Sequence, residues 1–128
     1  MIQTEKAVFR YGQQLVIPMP STVVANLNAG DVVVLGTCVG VALEPYNTNN
    51  DPRSGLAVTG VFSFLKEPTV AFAVGDNVEW DAGNLVAIAA GGGGYTDTAF
   101  IGKCTETALA ADTVVHVLMT FSGHTAAG

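Results

Sequence analysis

Ala29-Gly30-Asp31-Val32-Val33-Val34, at residues 29–34, is a Gly-Asp turn that opens a strand of β-branched residues. The pattern returns at residues 74–80 as Val74-Gly75-Asp76-Asn77-Val78-Glu79-Trp80. Each copy is followed by an aliphatic-Gly step, Val39-Gly40 and then Ile101-Gly102, and by a Val-rich strand. A glycine within a strand permits a bulge, a bend or the close approach of a neighbouring strand. We therefore expect two pseudo-equivalent β-units around one core, with an additional strand inserted in the second.

Short apolar runs rich in Val, Phe and Thr recur along the chain, bounded by Gly, Asn, Asp or Pro. Such punctuation is typical of strands, and helical periodicity is almost absent. The sequence therefore predicts an all-β fold, a small barrel or sandwich of short antiparallel strands. The predicted strands cover residues 6–11, 13–18, 31–36, 38–43, 55–63, 77–81, 84–89, 99–106 and 112–120.

A chain of 128 residues is long enough for one small domain with its own core. We divide it into an N-terminal segment at 1–20, a β-domain at 21–121 and a flexible tail at 122–128. Two alternatives stay open for the first segment. It is either an extended arm that adds a strand to a neighbouring molecule, or an ordinary first hairpin of the same domain.

The composition is short of charge, with charged residues at 12 % of the chain and hydrophobic residues at 49 %. Ordinary soluble domains carry about 25 % charged residues, so this surface is either rich in neutral groups or covered by partners. The net charge of −6 excludes a general nucleic-acid binder, because few cations are present to neutralise phosphates. No segment resembles a membrane span or a secretory signal, and we expect synthesis in the cytosol.

Searches for catalytic and ligand-binding motifs predict no enzyme, no cofactor and no metal site. The phosphate-loop pattern is absent, since Cys104 and not Ser or Thr follows the only Gly-Lys pair. The glycine run at 91–94 also lacks the spacing of the dinucleotide-binding motif. Cys38 and Cys104 lie in apolar strand-like runs and are expected to be buried free thiols. Two histidines, His116 and His124, are too few for a zinc site with these cysteines.

Glu79 and Asp81 flank Trp80 on one predicted strand. Their spacing suits a glycosidase pair or a calcium site. Simple alternation on a solvated strand face produces the same spacing, and we favour that interpretation.

Bulky apolar side chains remain as candidates for contact with partners. Core packing is the first explanation for most of the aromatic ones, but any that are exposed would form an interface rich in aromatic residues and poor in charge. The candidate interface residues are Phe9, Tyr11, Val16, Ile17, Phe62, Phe64, Trp80 and Tyr95.

The ordered set of strand motifs resembles a family of small capsid decoration (cement) proteins of tailed phages and prophages. The resemblance is carried by residues 29–36 and 39–42, by Thr59-Gly60-Val61-Phe62-Ser63-Phe64-Leu65-Lys66, by 74–81, by Ile101-Gly102-Lys103 and by 111–117. Together these cover most of residues 29–119. The chain departs from the family at Leu65, where a Pro is usual before the lysine, and at Glu79, where an aromatic residue is usual.

The resemblance implies a β-rich protein on the outer surface of an icosahedral phage head, often trimeric, that bridges neighbouring major capsid subunits. Its partners would be the major capsid protein and further copies of itself, with no nucleic acid and no membrane, and synthesis would occur in the bacterial host cytoplasm. The N-terminal segment, residues 1–20, is the arm that would reach a neighbour. An alternative is a carbohydrate- or host-surface-binding β-module on a virion, which predicts Trp80 or Tyr95 exposed in a groove.

Overall fold

The computed structural model describes residues 3, 5–20, 26–46, 55–89 and 98–120, with the backbone alone at residues 11 and 98. These residues form strands and no helix, which confirms the predicted all-β class. The strands are β1 Ala7–Tyr11, β2 Val16–Pro18, β3 Val32–Leu35, β4 Cys38–Ala42, β5 Gly55–Ala57, β6 Gly60–Leu65, β7 Asn77–Asp81, β8 Val86–Ala89, β9 Thr98–Cys104 and β10 Val114–Met119. The predicted strand at 55–63 is two strands, because Gly60, with φ of 122°, turns the chain between them.

All strands belong to one sheet that curls into a half-barrel. The order along the sheet is β1-β6-β10-β9-β4-β5-β2, with β3 beside β4 and with β7 between β8 and β9. Neighbours are antiparallel except β4 and β9, which are parallel. The first and last strands of this path, β1 and β2, are consecutive in the chain, as are β5 and β6. These two short connections hold the ends of the path close together.

The two Gly-Asp turns make the same hydrogen bonds. In the first unit, the amide of Gly30 donates to the carbonyl of Ala42 at 2.8 Å, and the amide of Ala42 donates to the backbone carbonyl of Asp31 at 2.9 Å. The second unit repeats both bonds between Gly75, Cys104 and the aspartate of its own turn, at 2.8 and 2.9 Å. The local structure thus follows the repeat seen in the sequence.

Strand pairing extends this equivalence across three strands. The units are β3-β4-β5 and β7-β9-β10, and their matching pairs are Val33 with Gly40, Val78 with Gly102, Ala42 with Leu56, and Cys104 with Val117. Strand β8 has no counterpart in the first unit and is the expected insertion. The units meet where Cys38 pairs with Phe100, two residues before each strand glycine. Equivalent residues of the two units therefore lie side by side at this junction.

Both strand glycines are required by close neighbours. A Cβ at Gly102 would lie 1.9 Å from the carbonyl oxygen of Leu118 on β10, and a Cβ at Gly40 would lie 2.7 Å from the side chain of Leu56. The register between β7 and β9 also shifts beside Gly102, which marks a bulge in β9. Close approach therefore explains both positions, and a bulge is present at one of them.

The N-terminal segment differs from a simple hairpin, because β1 and β2 do not pair with each other. Strand β1 pairs with β6, and β2 pairs with β5, so the segment spans the two ends of the strand path. Thr59 fixes the crossing: its Oγ1 accepts from the amide of Leu15 at 2.9 Å and donates to the carbonyl of Gln13 at 3.2 Å. The described part of the predicted arm is therefore docked on its own domain.

Aromatic rings form a row through the core. Phe62 lies 6.2 Å from Phe64, and Phe64 lies 6.0 Å from Trp80, measured between ring centroids. All three side chains are at most 1 % exposed. Cys38 and Cys104 are buried and free, as the sequence predicts, and burial raises the pKa of both thiols.

The approach of β10 to β9 generates a stability prediction. Gly102→Ala places a methyl group against the backbone of Leu118, which cannot move without breaking the sheet, so we expect the free energy of unfolding to fall by about 3 kcal/mol or more. Urea unfolding followed by fluorescence of Trp80 measures this loss. Gly83→Ala is the matched control, since its Cβ meets only the Asp81 carboxylate at 3.4 Å. Equal stability of the two variants would contradict the prediction.

Candidate functional site

Strand direction brings three aspartate turns to one end of the half-barrel. Because β4 and β9 are parallel, the turns at 28–31 and 73–76 lie at the same end, and the turn at 109–112 joins them because β10 runs antiparallel to β9. In each turn the carboxylate accepts from the amide three residues earlier. These bonds are Asn28 to Asp31 at 2.9 Å, Ala73 to Asp76 at 2.9 Å, and Leu109 to Asp112 at 2.8 Å. Each of these carboxylates thus has a hydrogen-bond donor within its own turn.

We call this the acidic end, and it comprises residues 5–6, 28–31, 43–46, 66–76 and 104–113. It holds every described carboxylate that is not buried, namely those of Glu5, Asp31, Glu44, Glu67, Asp76, Glu106 and Asp112. Lys6 offsets part of this negative charge, because its ammonium group forms an ion pair with Asp31 at 3.8 Å. The acidic end is therefore the strongly charged part of the described surface.

Lys66 is buried within this end, with 4 % of the residue exposed. Its ammonium group donates to the carbonyls of Val70 at 2.5 Å, Glu67 at 3.2 Å and Ala110 at 3.4 Å. Burial lowers the pKa of Lys66, while the nearby charges of Asp112 and Glu67 raise it. The lysine ties the segment after β6 to the third aspartate turn.

Among the described residues, the opposite end carries no charged side chain, and we call it the uncharged end. It comprises residues 12–16, 35–37, 58–59 and 83–85. Thr98, which pairs with Asp81 beside this end, follows Asp97, and Asp97 lies outside the described residues. Its large apolar side chains include Leu15, which is 55 % exposed, Leu85 at 47 % and Val16 at 43 %. The nearest cation, Arg10, turns back toward the middle of β6, where its Nε donates to the Ser63 hydroxyl at 2.9 Å.

Asp81 lies next to the uncharged end, but its charge is enclosed. The residue is 4 % exposed, and its carboxylate accepts from the amide of Gly83 at 3.0 Å and from Asn84 Nδ2 at 2.7 Å. Glu79, on the same strand, is also 4 % exposed. The interpretation of these two acids as a solvated strand face is therefore wrong. Asp81 instead stabilises the turn between β7 and β8.

The predicted interface residues separate into three groups. Phe62, Phe64 and Trp80 are core residues, because their rings pack against one another and no surface remains for a partner. Phe9 is 40 % exposed and Val16 is 43 % exposed, while Ile17 is half-buried. The side chain of Tyr11 and all of Tyr95 lie outside the described residues.

Exposed apolar residues that sequence reasoning missed lie mostly in turns and at strand ends. They are Leu15, Val34, Leu43, Val74, Leu85, Leu109 and Leu118. The sequence indicates the exposure of some of them, since Leu15 follows two glutamines and Leu85 follows Gly83-Asn84. A large apolar residue beside turn-forming polar residues is poorly placed for core packing.

One further cleft and the two histidines are also candidate sites. A cleft of about 530 Å³ lies beside Lys66, and its described lining, which includes Leu65, Pro68 and Val86, contains no aromatic side chain. His116 is half-buried, with Nδ1 3.3 Å from Glu106 Oε2 but outside hydrogen-bond geometry, and His124 lies beyond the described residues. Among the residues described, no three His, Cys, Asp or Glu side chains are grouped to hold a metal ion.

No helix in the described ranges has the length and hydropathy that a membrane crossing requires.

The enclosed ammonium of Lys66 generates the second prediction. Lys66→Met removes the ammonium donor of the Glu67 and Val70 carbonyls and leaves the Ala110 carbonyl with only the Thr69 amide, so the free energy of unfolding should fall by about 1–3 kcal/mol. Lys103→Met, on the exposed face of β9, is the matched control and should change stability by less than about 0.5 kcal/mol. Chemical denaturation of both variants makes the comparison. A Lys66→Met protein as stable as the parent would show that the carbonyls find other donors.

Comparison with the models of known protein families gives a match. The model of a family described as phage cement protein matches residues 11–119. No curated protein and no solved structure gives a significant match.

Proposed function

The chain belongs to the phage cement protein family, and we propose that it stabilises a phage head by binding the outer surface of the shell and bridging neighbouring major capsid subunits. The observation that carries the proposal is the extent of the family match. Residues 11–119 include β2 to β10, so the match covers nearly the whole folded sheet and not one local motif. The family is one of structural phage proteins, and we assign this chain no catalytic role.

The surface supports a binding role. Large apolar side chains at nine described positions are more than a third exposed, from Leu43 at 38 % to Val74 at 64 %. They are scattered, so each supports only a weak contact. On a symmetric shell the same weak contact is repeated many times, and linked sites raise the overall avidity without any new contact. A protein of this kind binds an assembled shell better than a free capsid subunit.

We further propose that the chain acts as a homotrimer and is made in the cytoplasm of a bacterial host. The cement family resemblance supports both statements. The charge-poor surface supports the first, because interfaces between copies are depleted of charged residues.

The alternative of a carbohydrate-binding module loses its main support. It needed an exposed aromatic platform at Trp80 or Tyr95. Trp80 is 1 % exposed and lies in the core, and Tyr95 is outside the described residues. No described feature favours this function.

Binding to assembled heads tests the proposed function. Purified protein mixed with undecorated heads should co-sediment with them to a saturating, stoichiometric level, because the shell offers a fixed number of equivalent sites. Decorated heads should then release their DNA at a higher temperature than undecorated heads, as measured by dye accessibility. Free major capsid protein at the same subunit concentration is the control and should bind more weakly. Absence of saturable binding would contradict the proposal.

The oligomeric state has its own test. Light scattering of the purified protein should give three times the chain mass of 13.1 kDa. A mass that stays at 13.1 kDa at every concentration would contradict a stable trimer, although assembly of the trimer on the shell would remain compatible with head binding.

A further inference from the structure

We propose that His116 and Glu106 form a pH-sensitive contact, in which protonation of the imidazole fastens the connection between β9 and β10. The proposal does not rest on the proposed function, because it concerns a contact within one chain. It starts from Nδ1 of His116, which is buried and has no hydrogen-bond partner among the described residues. Buried polar nitrogens of folded proteins normally have such a partner, so this exception needs a physical reason.

The position of Glu106 supplies the reason. Its Oε2 lies 3.3 Å from Nδ1 of His116, which is close enough for a hydrogen bond, but the geometry of a bond is not met. A neutral imidazole carries a proton on only one of its two ring nitrogens, and an ionised carboxylate carries none. Two acceptors therefore face each other when Nδ1 is bare. A charged imidazole has a proton on both nitrogens, so Nδ1 then becomes a donor to the carboxylate.

The bond can form by a movement of the Glu106 carboxylate alone. The Glu106 side chain is 58 % exposed and that of His116 is 25 % exposed, so the carboxylate has room to turn. The backbone on either side is already held in place. The carbonyl of Glu106 accepts from Cys104 Sγ at 2.9 Å, and the amide of Thr105 donates to the carbonyl of His116 at 2.9 Å. The new bond would thus tie a side chain of the 105–113 connection to a side chain of β10.

Carboxylates are the charges that surround the imidazole most closely. Glu106 and Asp112 line the same cleft of about 200 Å³ as His116, and the described lining of this cleft contains no lysine or arginine. Strand β6 contributes no charged group here, since the residue opposite His116 is Ser63. This environment favours the charged form of the imidazole.

Two described cations on nearby strands act in the opposite direction. Arg10 on β1 donates through Nε to the Ser63 hydroxyl at 2.9 Å, and Lys103 on β9 pairs with Leu118, two residues beyond His116. Neither cation belongs to the described lining of the cleft. Because the interaction of two charges weakens with distance, the Glu106 carboxylate at 3.3 Å outweighs them.

The contact stabilises the folded protein only while the imidazole is charged. Imidazoles in general gain their charge as the pH falls from about 8 to about 5, and carboxylates in general stay ionised down to about pH 5. The stabilisation is therefore present near pH 5.5 and is lost as the pH rises to about 8. Because both side chains are partly exposed, we expect the contact to change the unfolding equilibrium constant by about 2- to 5-fold.

A double-mutant cycle measured at two pH values tests the proposal. Glu106→Ala and His116→Phe, singly and together, are compared with the parent by urea unfolding at about pH 5.5 and about pH 8. At the lower pH, Glu106→Ala should raise the unfolding equilibrium constant by about 2- to 5-fold in the parent, and by less than about 1.5-fold when residue 116 is phenylalanine. At the higher pH, the substitution should have an effect below about 1.5-fold in both backgrounds.

Glu44→Ala is the matched control, because it removes an exposed carboxylate of the same acidic end, away from the cleft. Its effect should differ by less than about 1.5-fold between the two pH values. Circular dichroism confirms that the variants are folded. If His116→Phe does not fold, the comparison of Glu106→Ala with Glu44→Ala at the two pH values still decides the question.

Two results would overturn the proposal. One is a coupling between residues 106 and 116 that is absent at the lower pH. The other is a coupling of equal size at both pH values, which would show that Glu106 acts through packing and not through the charge of His116. Raising NaCl to about 0.5 M should also reduce the coupling at the lower pH, since salt screens partly exposed charges.

Discussion

The parallel contact between β4 and β9 is the joint on which the rest of the sheet depends. It is short, consisting of the Cys38–Phe100 pair and the bond from the Phe100 amide to the Thr37 carbonyl at 2.9 Å. Because the two strands are parallel and pair at equivalent positions, the equivalent turns of the two units lie at the same end of the sheet. An antiparallel joint would have sent the two Gly-Asp turns to opposite ends. The difference between an acidic and an uncharged end follows from this one choice of direction.

Much of the fold could be predicted from residue patterns, and the errors have physical causes. Alternating β-branched runs locate most strands, and the Gly-Asp turns reveal the repeat because each turn needs a residue with positive φ before the aspartate, as at Gly30 and Gly75. The break between β5 and β6 was missed since Gly60 lies within an unbroken apolar run. The sequence did not predict the route of the N-terminal segment, because local periodicity does not determine which strands pair over long separations.

The candidate site was less predictable because it depends on three-dimensional arrangement. The acidic residues are spread over the whole sequence, and only strand direction gathers at one end the exposed ones that the structure describes. Aromatic residues do not identify the exposed surface here, since Phe62, Phe64 and Trp80 are buried in the core of the half-barrel. The surface is instead built from aliphatic residues in connections, such as Leu15 and Leu85, whose exposure is decided by the turns that carry them.

Strand β6 lies between β1 and β10, which are the first and the last of the described strands. Its backbone groups cannot all be satisfied until residue 119 has left the ribosome. A nascent chain therefore cannot complete its sheet before residue 119 has emerged, and pairing over such long separations is slow. Until then, the edge of β6 that β10 will occupy is open to other strands. The described sheet is therefore completed in one late step, when β10 pairs with β6 and β9.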